Sequence, residues 1–194
     1  ESQASRLFGD FTNQQGLIYP EMKPDTHWVE PFDIPNDWMM LLGIDFGVVH
    51  PFACVVCAYD SKTDTLYVID EYSKTNWTTI QNGNMIKSKF KKYMPFDHII
   101  CDPESKDGRL ILSRMGLPNI PAPKFVGVVP TINQLKERLC LDVEGNPHIK
   151  FFKGKLPHLM KEFRLYRWQD SAARQAPIKR SDDLLDSLRY LNAF

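Results

Sequence analysis

Three apolar stretches in close succession limit what this chain can fold into more than any other feature. Leu41-Leu42-Gly43-Ile44-Asp45-Phe46-Gly47 reads as a buried strand ending in a turn. Phe52 to Tyr59 follows as a second strand, and Thr65 to Glu71 as a third, across the turn chemistry of Asp60-Ser61-Lys62-Thr63-Asp64. Strands joined by loops this short pair antiparallel, as a meander.

The pattern then changes to alternating helices and strands. Trp77 to Met94 spaces its apolar residues (Ile80, Ile86, Phe90, Met94) as a helix would, with Thr78 or Thr79 as the cap. His98 to Asp102 is a short buried strand stopped by Pro103; a helix near 107–115, a strand at 125–129, a helix at 131–141 and a strand at 148–152 come next. Residues 156–165 suit a helix that tolerates Pro157 in its first turn, and 166–177 suit a hairpin or loop. Ser181 is expected to cap a last helix over 182–192. A meander followed by β-α units predicts an α/β fold, a mixed β-sheet with helices on both faces. Residues 1–40 are broken by Pro20, Pro24, Pro31 and Pro35. They are expected to be an N-terminal appendage or interdomain linker resting on the core through Trp28, Phe32 and Trp38, with the folded domain at 41–194. The absence of an initiator Met suggests a domain taken from a longer protein.

Composition excludes several classes. A chain of 194 residues, 43% hydrophobic and 25% charged, can bury a real core as one domain. No apolar run approaches the about 18–20 residues that span a bilayer, and the polar start Glu1-Ser2-Gln3-Ala4-Ser5-Arg6 is no signal peptide. Cys54 and Cys57 lie three apart in a strand, on opposite faces, so with Cys101 and Cys140 they read as core thiols of a reducing compartment rather than zinc ligands. The 24 basic and 24 acidic side chains cancel, which argues mildly against a free-standing DNA binder. Between 150 and 180, however, nine basic residues face only Glu162 and Asp170.

The acids are the informative residues. Asp45 interrupts a hydrophobic strand, where a carboxylate is costly unless a cation or donors compensate it. Asp102 ends another apolar strand before a proline-led loop, and ligands of open α/β sheets gather outside the carboxyl ends of strands. Two strand-end carboxylates and one from a helix make an all-oxygen site suited to Mg²⁺ or Mn²⁺. The last helix offers Asp182, Asp183 and Asp186, whose spacing brings them to one face. Asp182 and Asp183 are equally well explained as first-turn acids facing the helix dipole. Asp186 lies nearly opposite the stripe Leu184, Leu188 and Leu191, so spacing leaves it open between a solvated face and a site. The five histidines form no zinc-hydrolase pairing, and no P-loop is present.

Gly43-Ile44-Asp45-Phe46-Gly47 with His50-Pro51, then Asp102-Pro103, Tyr166-Arg167-Trp168 and Asp182-Asp183-Leu184-Leu185-Asp186-Ser187-Leu188-Arg189-Tyr190, resemble in this order the nuclease domain of large terminase subunits of tailed bacteriophages. The closing Asp-x-Leu-Arg-Tyr element is the most specific piece, and the set covers roughly residues 40–194. The resemblance implies a ribonuclease H-like fold whose acidic centre holds one or two divalent ions, Mg²⁺ or Mn²⁺. It makes Asp45, Asp102 and Asp186 the catalytic residues and principal metal ligands. Where family members often carry His, three residues before the last Asp, this chain has Asp183, a possible further ligand. Glu71, at the end of the third strand, is a less favoured ligand; the alternative is a solvent-exposed strand terminus. Lys179 and Arg180, with Lys106 and Arg109, are candidates to hold a DNA backbone.

The implied activity is metal-dependent endonucleolytic cleavage of concatemeric viral double-stranded DNA during packaging, by two-metal-ion phosphodiester hydrolysis. The implied partners are double-stranded DNA, an ATPase domain in the same full-length chain towards which residues 1–40 lead, a small terminase subunit and the portal protein. The implied setting is the cytoplasm of the infected bacterial host. Two other readings stay open: a ribonuclease H-like nuclease of resolvase or integrase type, and a catalytically silent docking domain of the packaging motor.

Overall fold

Alternation of side chains along the strands divides the interior into two layers. In a computed structural model of the chain, residues 16–124, 127–169, 176–178 and 182–194 are described. Helix α1 (Pro24–His27) and strand β1 (Trp28–Val29) precede the meander of β2 (Met39–Asp45), β3 (Phe52–Asp60) and β4 (Thr65–Lys74). Then come α2 (Thr79–Lys89), a 3₁₀ turn, β5 (His98–Cys101), α3 (Lys106–Arg114) and β6 (Ile120–Pro121). The chain closes with α4 (Val129–Leu139), β7 (Ile149–Phe152), α5 (Pro157–Leu165) and α6 (Asp183–Asn192). The seven strands run in the order β1-β7-β4-β3-β2-β5-β6; only the β2–β3 and β3–β4 pairings are antiparallel.

Leu41, Val55, Cys57, Val68 and Ile100 face one layer, covered by Leu135 of α4, Phe163 of α5 and the leucines of α6. Leu42, Ile44, Cys54, Val56 and Ile99 face the other, under Ile86 of α2 and Leu112 of α3. Cys54 and Cys57 therefore point to opposite layers, and Cys54, Cys57 and Cys101 are buried free thiols while Cys140 is exposed. Leu184, Leu185, Leu188 and Leu191 of α6 are all buried, each burial stabilising by about 1.5–3 kcal/mol. Among the described residues no helix is long and apolar enough to cross a membrane.

Several local expectations are met and others are corrected. Thr78 caps α2 in a reciprocal capping box with Gln81. Within the 166–177 stretch, Trp168 and Pro177 form an antiparallel bridge, while 170–175 lie outside the described residues. The third strand runs past Glu71 to Lys74. The strand expected at 125–129 is not observed: 125 and 126 lie outside the described residues, and Val129 starts α4, because Pro130 fits a helical first turn. The strand of this region is instead β6, an edge strand whose Pro121 needs no N–H partner there. Ser181 lies outside the described residues, and Asp182 is the residue preceding α6. The stretch expected as an appendage contributes to the same unit: Ile18, Tyr19 and Met22 are at most 1% exposed, and β1 extends the sheet beside β7.

Candidate active site

Strand pairing places the first two acids side by side. Strands β2 and β5 run parallel with Ile44 opposite Cys101, and the Asp102 N–H donates to the Ile44 carbonyl at 2.9 Å. Asp45 and Asp102 thus emerge together from the carboxyl edge of two neighbouring strands. By the two-residue period of a strand, Leu41, Gly43 and Asp45 share one face. That face carries α6, and its approach depends on Gly43, where a Cβ would stand 2.4 Å from the Ser187 carbonyl oxygen. The Ser187 hydroxyl lies 2.9 Å from the Ala53 carbonyl and 3.0 Å from that of Asp183, holding the helix against β3. Asp183 and Asp186 are delivered towards Asp45 by this seat.

Two buried glutamates fix the helices behind the site. The Glu162 carboxyl accepts the Leu184 N–H at 3.3 Å and the Leu185 N–H at 2.9 Å, satisfying the start of α6. Glu71 does the same for α5, accepting the His158 and Leu159 N–H groups, each at 2.8 Å, and contacting His158 Nδ1. Glu71 is 6% exposed. It is therefore not an exposed strand terminus; both its oxygens are used at the α5 N-terminus, where the helix dipole favours a negative group.

The electrostatics record the crowding. Burial, then the charges of Asp186, Asp102 and Asp183, push the Asp45 carboxyl up to about 8, with Arg189 opposing. Burial likewise raises Asp102, whose Oδ1 accepts the Glu104 N–H at 2.9 Å. Asp182 is pushed up to about 6 and Glu162 to about 9, burial leading in both. Asp183 is also raised by burial, while nearby His50 pulls it down. Asp186 is ion-paired with Arg189 one turn on.

An all-oxygen set of carboxylates that raise one another's pKa suits a hard divalent cation in kind and in charge. The side chains stand apart: among the described residues no three of His, Cys, Asp and Glu gather closely enough to enclose an ion. Asp102, Asp182 and Asp186 line a cleft of about 320 Å³ together with Thr131, Arg189 and Tyr190. Lys106 is exposed at the start of α3. The charge of Arg109 is felt by Asp102, and its Nε is buried without a hydrogen-bond partner among the described residues. Lys179 and Arg180 lie outside the described residues. From sequence, Arg189 and Glu162 carry no assigned role, and Asp182 reads equally well as an acid of the last helix's first turn. The i, i+3 spacing of Asp186 and Arg189 was a usable signal; nothing local marked Glu162.

A family model described as the terminase RNaseH-like domain matches residues 42–193. The large terminase subunit of Escherichia phage T5 is 28% identical over 157 residues, covering 77% of this chain and 34% of the relative. The chain thus spans about a third of that relative's length. Among solved structures, the large terminase of a thermophilic bacteriophage in complex with ATP-gamma-S superposes with a TM-score of 0.79 at 20% identity, over 92% of this chain and 45% of that one. The nuclease domain of the large terminase from bacteriophage SPP1, with bound Mn, gives 0.61 at 21% identity, over 86% and 94%. At these identities the structural likeness concerns the fold, which is that of ribonuclease H-like nuclease domains.

Proposed function

The chain belongs to the terminase RNaseH-like domain family, and on that premise we propose that it is a divalent-metal-dependent endonuclease cutting concatemeric viral double-stranded DNA during genome packaging. The observation that carries the reading is the placement of Asp45 and Asp102 at adjacent strand ends beside the helix seated on Gly43, near enough for the charges of Asp186 and Asp102 to raise the Asp45 carboxyl. Asp45, Asp102 and Asp186 would hold Mg²⁺ or Mn²⁺, with Asp183 as a further ligand; Mn in the SPP1 relative supports that choice. Glu71 is not part of this proposal. Bound ions would neutralise phosphodiester charge, activate water and stabilise the leaving 3′ oxygen.

The protein's own groups orient the reaction. Asp45 and Asp102 are set by the β2–β5 ladder, and Asp186 by α6 and Arg189. Lys106 and Arg109, on the helix after Asp102, and Lys179 and Arg180, just before α6, are proposed to hold the DNA backbone as positively charged phosphate contacts. In the full polypeptide we place an ATPase domain ahead of this nuclease. The small subunit and portal are the proposed partners, and the infected host's cytoplasm the site of action.

Supercoiled plasmid, incubated with the chain in Mg²⁺, Mn²⁺ or EDTA, tests the reading. Metal-dependent nicking and linearisation are expected from the wild type and a loss of at least about a hundredfold from Asp186→Ala. Equal cutting by both proteins would remove Asp186 from the site. No cutting by either, in any metal, would favour the docking-domain reading.

A further inference from the structure

Arg189 is the feature of the cleft that the acidic centre by itself leaves unexplained. Its residue is 4% exposed, so a permanent cation is buried where its charge reaches Asp45, Asp182 and Asp186. One guanidinium nitrogen meets Asp186 Oδ1, and Nη1 donates to the Thr131 hydroxyl at 2.6 Å. That hydroxyl in turn donates to the Val128 carbonyl at 2.8 Å, which turns its lone pairs towards the arginine. Thr131 belongs to α4, an element that contributes no acid to the centre. The contact therefore ties Asp186 to a neighbouring helix that also lines the cleft.

A carboxylate with one oxygen held by a guanidinium keeps its other oxygen for an ion, in a fixed orientation. Metal-ligating groups are commonly held this way, by partners outside the ligand set. We propose that Arg189 is a positioning residue of the acidic centre: anchored by Thr131, its guanidinium orients Asp186, so that α4 sets the centre's affinity for a divalent cation. This rests on the metal-centre reading above. Lysine cannot replace Arg189 in the role, because a single ammonium lacks the planar fork that reaches both partners.

Mn²⁺ binding to the full chain, followed by the electron paramagnetic resonance signal of free Mn²⁺, tests the proposal without any turnover. Thr131→Val, which keeps the shape and removes the hydroxyl, is expected to weaken Mn²⁺ binding about tenfold, and Arg189→Lys by at least as much. Thr131→Ser, which restores the hydroxyl, should bind as the wild type does. Thermal melts identify variants still folded at the binding temperature; a purely structural contact would lower the melting temperature and leave the affinity in place. Affinity unchanged or tightened in Thr131→Val overturns the proposal, the latter marking Arg189 as a competitor of the ion. Should Thr131→Val not fold, Arg189→Lys is judged by the same criterion. A wild-type chain that binds no Mn²⁺ overturns the metal-centre reading, and the proposal with it, whatever the variants do.

Discussion

Asp45 carries the sharpest local conflict in the molecule. Its carboxyl is pushed up to about 8 by burial and by three neighbouring aspartates, above an ordinary value of 3.8. A carboxyl whose pKa is higher in the fold than in the unfolded chain contributes stability at low pH, and that contribution is lost as pH rises through the folded value. Asp182, near 6, and Glu162, near 9, act in the same direction. The ion-free chain should therefore melt at progressively lower temperature between about pH 5 and about pH 8.5. Asp45→Asn, which cannot ionise, should flatten that slope and melt above the wild type at the alkaline end. Superimposable pH profiles would remove Asp45 from the conflict. An acid inside an apolar strand was legible in the sequence; how many acids surround it was not, because they come from two other elements distant along the chain.

At the scale of elements, α6 is held in place by what it touches rather than by its own propensity. Gly43 admits its backbone, Ser187 bonds it to β3, and Glu162 closes its first turn. Glu71 closes the first turn of α5, which carries Glu162, so one buried acid steadies the helix that presents the next. Gly43→Ala drives a methyl group into the Ser187 carbonyl, and neither atom is the free end of a flexible side chain. The expected cost is about 1–3 kcal/mol, read as a lower urea midpoint with an unchanged slope. Plasmid cleavage should fall further than stability does, because the shift moves Asp186 away from Asp45; full activity in a destabilised Gly43→Ala chain would refute that coupling. The helical wheel set Asp186 opposite the leucines, which is correct and still misleading. Arg189 and Ser187 are buried too, so α6 is covered nearly all round and has no simple solvent face.

For the molecule as a whole, the N-terminal stretch and the acidic centre each give a test. Ile18, Tyr19 and Met22 fill the same layer as α5 and α6, and the Ile18 N–H donates to the Tyr166 carbonyl at 3.0 Å. A chain starting at residue 41 should consequently lose cooperative unfolding by calorimetry. A sharp wild-type transition in the shorter chain would restore the boundary at 40. Mn²⁺ or Mg²⁺ at about a hundred times its Kd should stabilise the fold by about 2.7 kcal/mol, reversibly with EDTA. The gain should be larger at about pH 8 than at about pH 5, since ligand carboxylates must be ionised to bind. A melting temperature indifferent to both ions would contradict the metal centre.

The sequence by itself determined the meander, the mixed sheet, the cap at Thr78, the opposed faces of Cys54 and Cys57, and the strand-end settings of Asp45 and Asp102. Each of these follows from short-range periodicity, turn chemistry or the cost of a charge in an apolar run, and such signals lie within a few residues. Only the tertiary structure decided that Glu71 and Glu162 serve helix N-termini, that Arg189 bridges Asp186 to Thr131, and that Ile18, Tyr19 and Met22 belong to the core. Those roles depend on partners that are distant along the chain, and on which polar atoms burial leaves without water. A buried acid has to be neutralised or hydrogen-bonded, but packing alone selects the group that does it.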